Sequence, residues 1–296
     1  MLVSRRDTRC PSLGARVSTL ALLHSRFRVH LVENEAVVCD DAIALRAFSR
    51  KGELGRPVAT LVLEGRARLR AFGQERWLEP GSVALLPSKD DVEMRQEAHP
   101  RYAAIVVEWE PGVLFGERPT TFSVDARLAE PPASFVDRYR RGDTRCVGEL
   151  ASIFGVAARD WPDETADRER FASVSGALDR ALSLLDAQPM SVDLEHALGL
   201  SARQVNRVVS EFHARYGFNA GTWRDARNRR RLLVGAALFS QPRATLIEVA
   251  RAVGYRSETA LCRAFANAGL PSPGSLAELS AGVDARERAS DQRRRS

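Results

Sequence analysis

The sequence predicts an α+β chain: an antiparallel β-barrel first, helices after it, and an all-α region near the C-terminus. Three observations carry this. Short apolar runs broken by turn residues fill residues 17 to about 109. Past Pro132 the apolar spacing changes to three and four. Between residues 186 and 280 a helix, a Gly-containing turn and a second helix occur twice.

Residues 1–16 read as a disordered lead. Arg5 and Arg6 precede an apolar run at residues 17–23. That run is short and no small-residue cleavage site follows, so it reads as the start of a strand and not as a signal peptide. No stretch is long and apolar enough to span a bilayer, and a cytoplasmic location with no membrane partner is expected.

Residues 17–125 are expected to form the barrel. Ala59, Leu61 and Leu63 alternate with Thr60 and Val62. Turn signals follow at Glu64-Gly65, Phe72-Gly73-Gln74 and Glu79-Pro80-Gly81. Two further apolar runs end at Pro87 and at Pro111-Gly112. Short strands punctuated this often suit a sandwich or barrel. Trp77, Trp109, Phe72, His30 and Arg46 are candidates to line a pocket, although packing is the commoner fate of each alone.

Residues 126–185 read as a helical connector. Phe171, Val174, Ala177, Leu178, Ala181, Leu182 and Leu185 repeat at three and four. The Leu178, Leu182 and Leu185 stripe suits a dimer contact or packing within the chain equally well. Residues 281–296 form a charged tail.

Composition narrows the function classes. A hydrophobic fraction of 44% supports a proper core. Cys10, Cys39, Cys146 and Cys262 are far apart and form no CxxC pair, which excludes a zinc module and a disulfide framework. No HxH, HExxH, GxSxG or phosphate-loop pattern occurs. The positive charge sits at one end. Residues 191–280 carry twelve Arg, no Lys and seven acids, a net +5, whereas residues 1–190 carry a net −1. A local basic excess suits a polyanion partner, with a solvated basic surface as the bland alternative.

The twofold pattern favours the polyanion. "LEHALGLSARQVNRVV" can be laid against "IEVARAVGYRSETALCRAF". Each has a short helix with a buried Ala, a turn with Gly199 or Gly254, a Ser start at Ser201 or Ser257, then a second helix. Gly permits the positive φ of a tight corner, and Ser caps a helix through its hydroxyl. In the first second-helix, Val205, Val208, Val209 and Phe212 make one stripe, leaving Arg203, Gln204, Asn206 and Arg207 opposite. Arg with guanine and Gln or Asn with adenine are the standard base-edge pairings. One such helix alone is an ordinary amphipathic surface helix. Two, joined by an Arg-rich helix containing Arg224, Arg227, Arg229, Arg230 and Arg231, make a stronger case.

Residues 186–280 resemble the DNA-binding domain of the AraC/XylS family of bacterial transcription regulators. The words carrying the resemblance are "GLSARQVNRVVSEFHARYGFNAGTW", "RRLLVGAALF" and "TLIEVARAVGYRSETALCRAFANAGLPSP". The second signature is met by Ala250, Val253, Gly254, Tyr255, Ser257, Leu261, Arg263, Phe265, Ser272 and Pro273. The chain departs from the family in a linker helix about one turn longer, in Ala260 where His is common, and in "ANAGLPSP" in place of a basic segment. "LEGRARLRAFGQERWLEPGSVALLP" resembles the cupin-like effector barrel of the same family. The segment after Pro87, "SKDDVEMRQEAHP", lacks the HxH pair of metal-binding cupins.

The resemblance implies a sequence-specific DNA-binding regulator with recognition helices at about 202–212 and 258–266. The DNA-contact candidates are Ser201, Arg203, Gln204, Asn206 and Arg207, Arg231 on the linker, and Ser257, Glu258, Thr259, Cys262 and Arg263. Double-stranded DNA is the expected partner. A small-molecule effector held within residues 17–125 and a homodimer are left open, and RNA polymerase is a partner if the chain activates. No catalytic residue, metal ligand or cofactor is expected. The competing readings are a cupin-type enzyme and an interaction protein whose helical domain no longer binds DNA.

Overall fold

The computed structural model describes residues 1–40, 56–88, 92–119, 123–125, 133–157, 159–216 and 221–276. Arg46 and the tail lie outside these. The described residues form a nearly closed antiparallel β-barrel followed by helices, the predicted α+β order.

The strands are β1 (Leu2–Cys10), β2 (Ala15–His24), β3 (Phe27–Asp40), β4 (Val58–Glu64), β5 (Arg66–Ala71), β6 (Gln74–Leu78), β7 (Val83–Leu86), β8 (Val92–Trp109) and β9 (Ser123–Asp125). Their order is β1-β2-β3-β8-β4-β7-β9, and the β5–β6 hairpin joins through β5 to β8. The long β8 holds the sheet together: β3 lies along one side, and β5 and then β4 along the other. Phe72 and Gly73 both have positive φ, the corner that a two-residue hairpin needs.

The expected disordered lead is instead the strand β1. It pairs with β2 from Leu2↔Leu23 to Cys10↔Ala15. Its polar outline hides this in the sequence, because the groups that hold it are distant. Helix α3 (Thr165–Ser183) lies along it. Asp179 accepts from Ser4 Oγ at 2.7 Å and from the Arg5 N–H at 2.6 Å, and Ser183 Oγ accepts from the Asp7 N–H at 2.9 Å. Unpaired backbone donors on an edge strand are thus satisfied by a helix laid over them.

Two shorter helices, α1 (Ala133–Arg140) and α2 (Leu150–Ile153), close one side of the barrel. Phe135, Tyr139 and Phe154 pack there with Phe27, Ile105 and Trp109. The buried Tyr139 hydroxyl donates to the Val29 carbonyl at 2.7 Å.

The remaining helices are α4 (Ser191–Leu198), α5 (Ala202–Tyr216), α6 (Trp223–Leu238), α7 (Leu246–Ala252) and α8 (Glu258–Asn267). They share their cores with the barrel. Val205, Val209 and Phe212 of α5 cluster with Phe171 and Leu178 of α3 and with Leu2, Ala21 and Leu23. Leu232 and Phe265 belong to a cluster that contains Val17, Val37 and Tyr102. Leu178, Leu182 and Leu185 are buried within the chain, so the stripe packs internally and offers no dimer face.

Candidate nucleic-acid interface

In the first helical pair, Gly199 caps α4 with φ 64 and α5 follows after Ser201. The inner face of α5 is fixed by aromatic packing, with Phe171 edge-on to Phe212 at 5.9 Å and to Tyr216 at 6.0 Å. Val209 and Phe212 are fully buried, each worth roughly 1.5–3 kcal/mol of burial. Val208 is half-buried, at the edge of the stripe.

That packing turns Ser201, Arg203, Gln204, Asn206 and Arg207 outward, and all five are exposed. Gln204 has a second task. Its Oε1 accepts from Ser201 N at 2.9 Å and from Ser201 Oγ at 2.8 Å, so it caps its own helix and leaves only its amide NH2 for an outside partner. Arg203 and Arg207 form no ion pair among the described residues. The contrast lies at the other end of the helix, where Arg215 pairs with Glu164 at 2.9 Å and with Asp167 at 2.5 Å. Two free guanidiniums one turn apart give the N-terminal half of α5 a local positive field.

The second pair repeats the helix, Gly corner and helix, but it buries Ala250 where the expected buried Ala of the first pair, Ala197, is exposed. Thr245 and Glu248 make a capping box on α7. Gly254 has φ 76 at the corner, and Ser257 Oγ accepts from Ala260 N at 3.2 Å to start α8. Leu261 and Phe265 are fully buried, with the Phe265 ring tilted edge-on to Phe239 at 5.9 Å. Ser257, Glu258, Thr259 and Arg263 are exposed, while Cys262 is half-buried. This outer face carries one acid and one base, so it is electrostatically weaker than that of α5.

Arg231 is corrected. It is 7% exposed and sits inside the chain, its guanidinium 5.3 Å from the Tyr255 ring and close against Gly254. Burial first, then the neighbouring Arg227, pushes its pKa down to about 10. It braces the second corner and does not face solvent. Arg227 also turns inward, donating to the Pro189 carbonyl at 2.8 Å. Arg224 is the exposed member of that run.

Arg230, named in the sequence only as one of the linker arginines, turns inward onto the barrel. It is 8% exposed and donates from Nη2 to Thr8 Oγ1 at 3.1 Å and to the Val17 carbonyl at 2.9 Å. The signal was present: Trp223, Ala226, Arg230 and Val234 fall on one helical stripe, and the other three are apolar.

Among the described candidates for a barrel pocket, Trp77, Phe72 and Trp109 do not come together. Trp77 and Phe72 are on the exposed β5–β6 hairpin, with the Arg66 guanidinium 4.7 Å over the Trp77 ring. Trp109 is buried and donates to the Gly116 carbonyl at 3.3 Å. A cleft of about 710 Å³ lies instead between the barrel and α3 with α5, walled by Arg26, Arg56 and Glu110 on one side and Asp167, Arg170 and Arg215 on the other. No helix among the described residues is long and apolar enough to cross a membrane.

No family model and no curated protein matches this chain. Solved structures do resemble it. CuxR, described as an AraC-like transcriptional activator, aligns over 79% of this chain and 86% of its own at 16% identity and TM-score 0.34. ToxT from Vibrio cholerae aligns over 85% and 98% at 11% identity and TM-score 0.31. A cupin 2 conserved barrel domain protein from Salinispora arenicola covers 32% of this chain and 76% of its own, at 16% identity and TM-score 0.24. The structural neighbours thus include an AraC-like regulator over most of the chain and a cupin barrel over part of it, likenesses too distant to carry an argument, so function rests on the residues described above.

Proposed function

We propose that the chain is a sequence-specific DNA-binding transcription regulator of the AraC/XylS type. In this reading the α4–α5 and α7–α8 pairs are two helix-turn-helix units, with α5 and α8 as recognition helices in successive major-groove segments about 34 Å apart. The barrel senses a small molecule or holds a dimer together.

One observation carries the reading. In both pairs the second helix starts at an exposed Ser, buries its apolar face, and turns polar side chains outward. In the first pair these include two arginines with no ion pair among the described residues. An ordinary amphipathic surface helix has no need of a second copy with a Gly corner of its own.

Major-groove recognition uses this arrangement: a packed face holds the helix, the helix N-terminus and Arg approach phosphate, and short polar side chains meet base edges. Arg203 and Arg207 are the leading contacts, with Asn206 beside them. On α8, Thr259 and Arg263 take the corresponding positions, and Glu258 accepts from a cytosine amine. The uneven charge makes the first unit the stronger binder.

The test is selection of duplexes from a randomised pool by the purified chain, followed by a gel shift. Recovery of a common sequence in two segments one helical turn apart supports the reading. Recovery of no sequence above background removes it and favours the interaction-protein alternative.

A further inference from the structure

We propose that Arg230, through its buried contact with Thr8, makes the barrel a ruler that sets the spacing of the two DNA segments the chain accepts. The inference rests on the DNA-binding reading and assigns a specificity role to residues remote from the proposed DNA surface.

The linker helix α6 packs on both proposed units. Its first turn contributes Trp223 to the core of the first, and Gly235 lies under the Phe265 ring of the second. Any rotation of α6 therefore moves one recognition helix relative to the other.

The barrel holds α6 within its length and holds the turn just past its end. Arg230 donates to Thr8 Oγ1 on β1 and to the Val17 carbonyl on β2. Ser240, two residues past the end of α6, accepts through its Oγ from the Val38 N–H of β3 at 2.7 Å. A helix held along its length and at the turn that follows it resists sliding and swinging. Both pins are buried: Thr8 is 5% exposed and Ser240 7%. Removing one partner leaves a polar group with no water to replace it, so the joint resists opening.

Thr8 also reaches the first unit's support. Its hydroxyl donates to the Leu182 carbonyl at the end of α3, at 3.5 Å. The chain Arg230–Thr8–Leu182 thus ties the linker to the helix on which α5 packs. In this docked state Arg203, Arg207, Thr259 and Arg263 remain exposed. The barrel holds the units without covering them, which makes it a positioning element and not a cap.

Inserting one base pair between two segments displaces the second by about 3.4 Å and about a tenth of a turn. Rigidly spaced units cannot follow, so one unit loses its base contacts, whereas loosely linked units adapt.

The experiment uses the full chain and a duplex recovered by selection, with zero, one added or one removed base pair between its segments. Wild type, Thr8→Val, Arg230→Met and the double variant are compared for affinity, salt dependence and circular dichroism. Wild type is expected to disfavour the altered spacings by at least about tenfold, the worth of one lost base contact. Each single variant is expected to compress that preference to within about threefold at native helix content, and the double variant to add little, since each single change already breaks the shared Arg230–Thr8 contact.

Folded variants that keep the wild-type preference overturn the proposal. A salt slope that falls by about one in Arg230→Met also overturns it, since Arg230 would then be a phosphate ligand. If Arg230→Met does not fold, Thr8→Val, isosteric and inside the barrel, decides alone. A wild type that selects no duplex removes the DNA-binding reading itself and this inference with it, whereas selection without spacing preference removes this inference alone.

Discussion

Gly254 and Leu185 touch through their backbones: a Cβ on Gly254 would sit 2.1 Å from the Leu185 carbonyl oxygen. The corner between α7 and α8 is therefore folded down onto the end of the α3 segment. Two separate demands meet at this residue, since φ is 76 and the space is closed. A side chain at positive φ costs roughly 1–2 kcal/mol before any clash is counted.

Gly254→Ala is accordingly expected to destabilise the chain by more than about 2 kcal/mol, because a backbone carbonyl cannot swing aside as a side chain can. Chemical denaturation measures this. A change within about 0.5 kcal/mol, the range of a plain surface substitution, would show that the corner is not held against Leu185.

Affinity for DNA is expected to fall steeply with salt. Residues 191–280 carry a net +5 and Arg203, Arg207 and Arg224 are exposed. Each phosphate neutralised adds about 0.9 to the slope of log affinity against log salt. Titrations between low and moderate ionic strength read the slope directly, and a flat line would remove the phosphate contacts from the account.

The parts of this molecule that sequence reasoning reached are those whose partners lie nearby in the chain. Val205, Val209 and Phe212 declare a helix face by spacing alone, and Gly199, Gly254 and Ser257 declare corners and a cap within four residues of what they serve, whereas the Ser201 hydroxyl donates to Gln204 and does not cap. The strand β1 was hidden because Ser4 and Arg5 are held by Asp179, far along the chain. Arg230 and Arg231 were hidden by their neighbours: within a run of arginines, each reads as facing solvent or phosphate. Only the apolar residues at 223, 226 and 234 mark position 230 as inward. Gln204 shows a third case, an exposed side chain whose amide oxygen is spent on capping its own helix, which pattern alone does not reveal.

Metal analysis addresses the enzyme alternative. Because the segment after Pro87 has no HxH pair, the purified chain is expected to contain no stoichiometric iron, zinc or manganese. One metal per chain located in residues 1–125 would restore that reading.

Arg207 and Val209 separate reading from folding on one helix. Arg207 is exposed, whereas Val209 is fully buried. Arg207→Ala is expected to leave stability within about 0.5 kcal/mol and to weaken specific binding by roughly 1–3 kcal/mol with relaxed preference at one base position. Val209→Asp is expected to unfold the first unit through an unpaired buried charge. If Arg203→Ala, Gln204→Ala and Arg207→Ala together leave affinity and base preference unchanged, α5 is a surface helix only.

The last prediction concerns pH and the junction beside the cleft. His24 is 1% exposed and stacks on Phe27 at 4.6 Å. Its Nε2 lies 2.9 Å from the Pro162 carbonyl, and its Nδ1 accepts from the Arg26 N–H at 3.1 Å. A single neutral tautomer, protonated on Nε2, satisfies both contacts. A second proton on Nδ1 would point an N–H at the Arg26 N–H. Burial is the main cause that holds its pKa below the usual histidine value, against smaller opposing effects from Pro162 and Glu164. The unfolded chain therefore takes up this proton at a higher pH than the folded one. The stability due to neutral His24 is complete above the unfolded pKa of about 6.5 and is lost as pH falls from there through the depressed folded value. Glu164, 3.6 Å from Nε2, also accepts from Ser25 N and Arg215, so charging His24 disturbs the residue that joins the β2–β3 turn to α5. Denaturation midpoints between pH 8 and pH 5 are expected to decline more steeply in wild type than in His24→Gln, which cannot titrate. Equal slopes in the two proteins would assign the acid sensitivity to other groups.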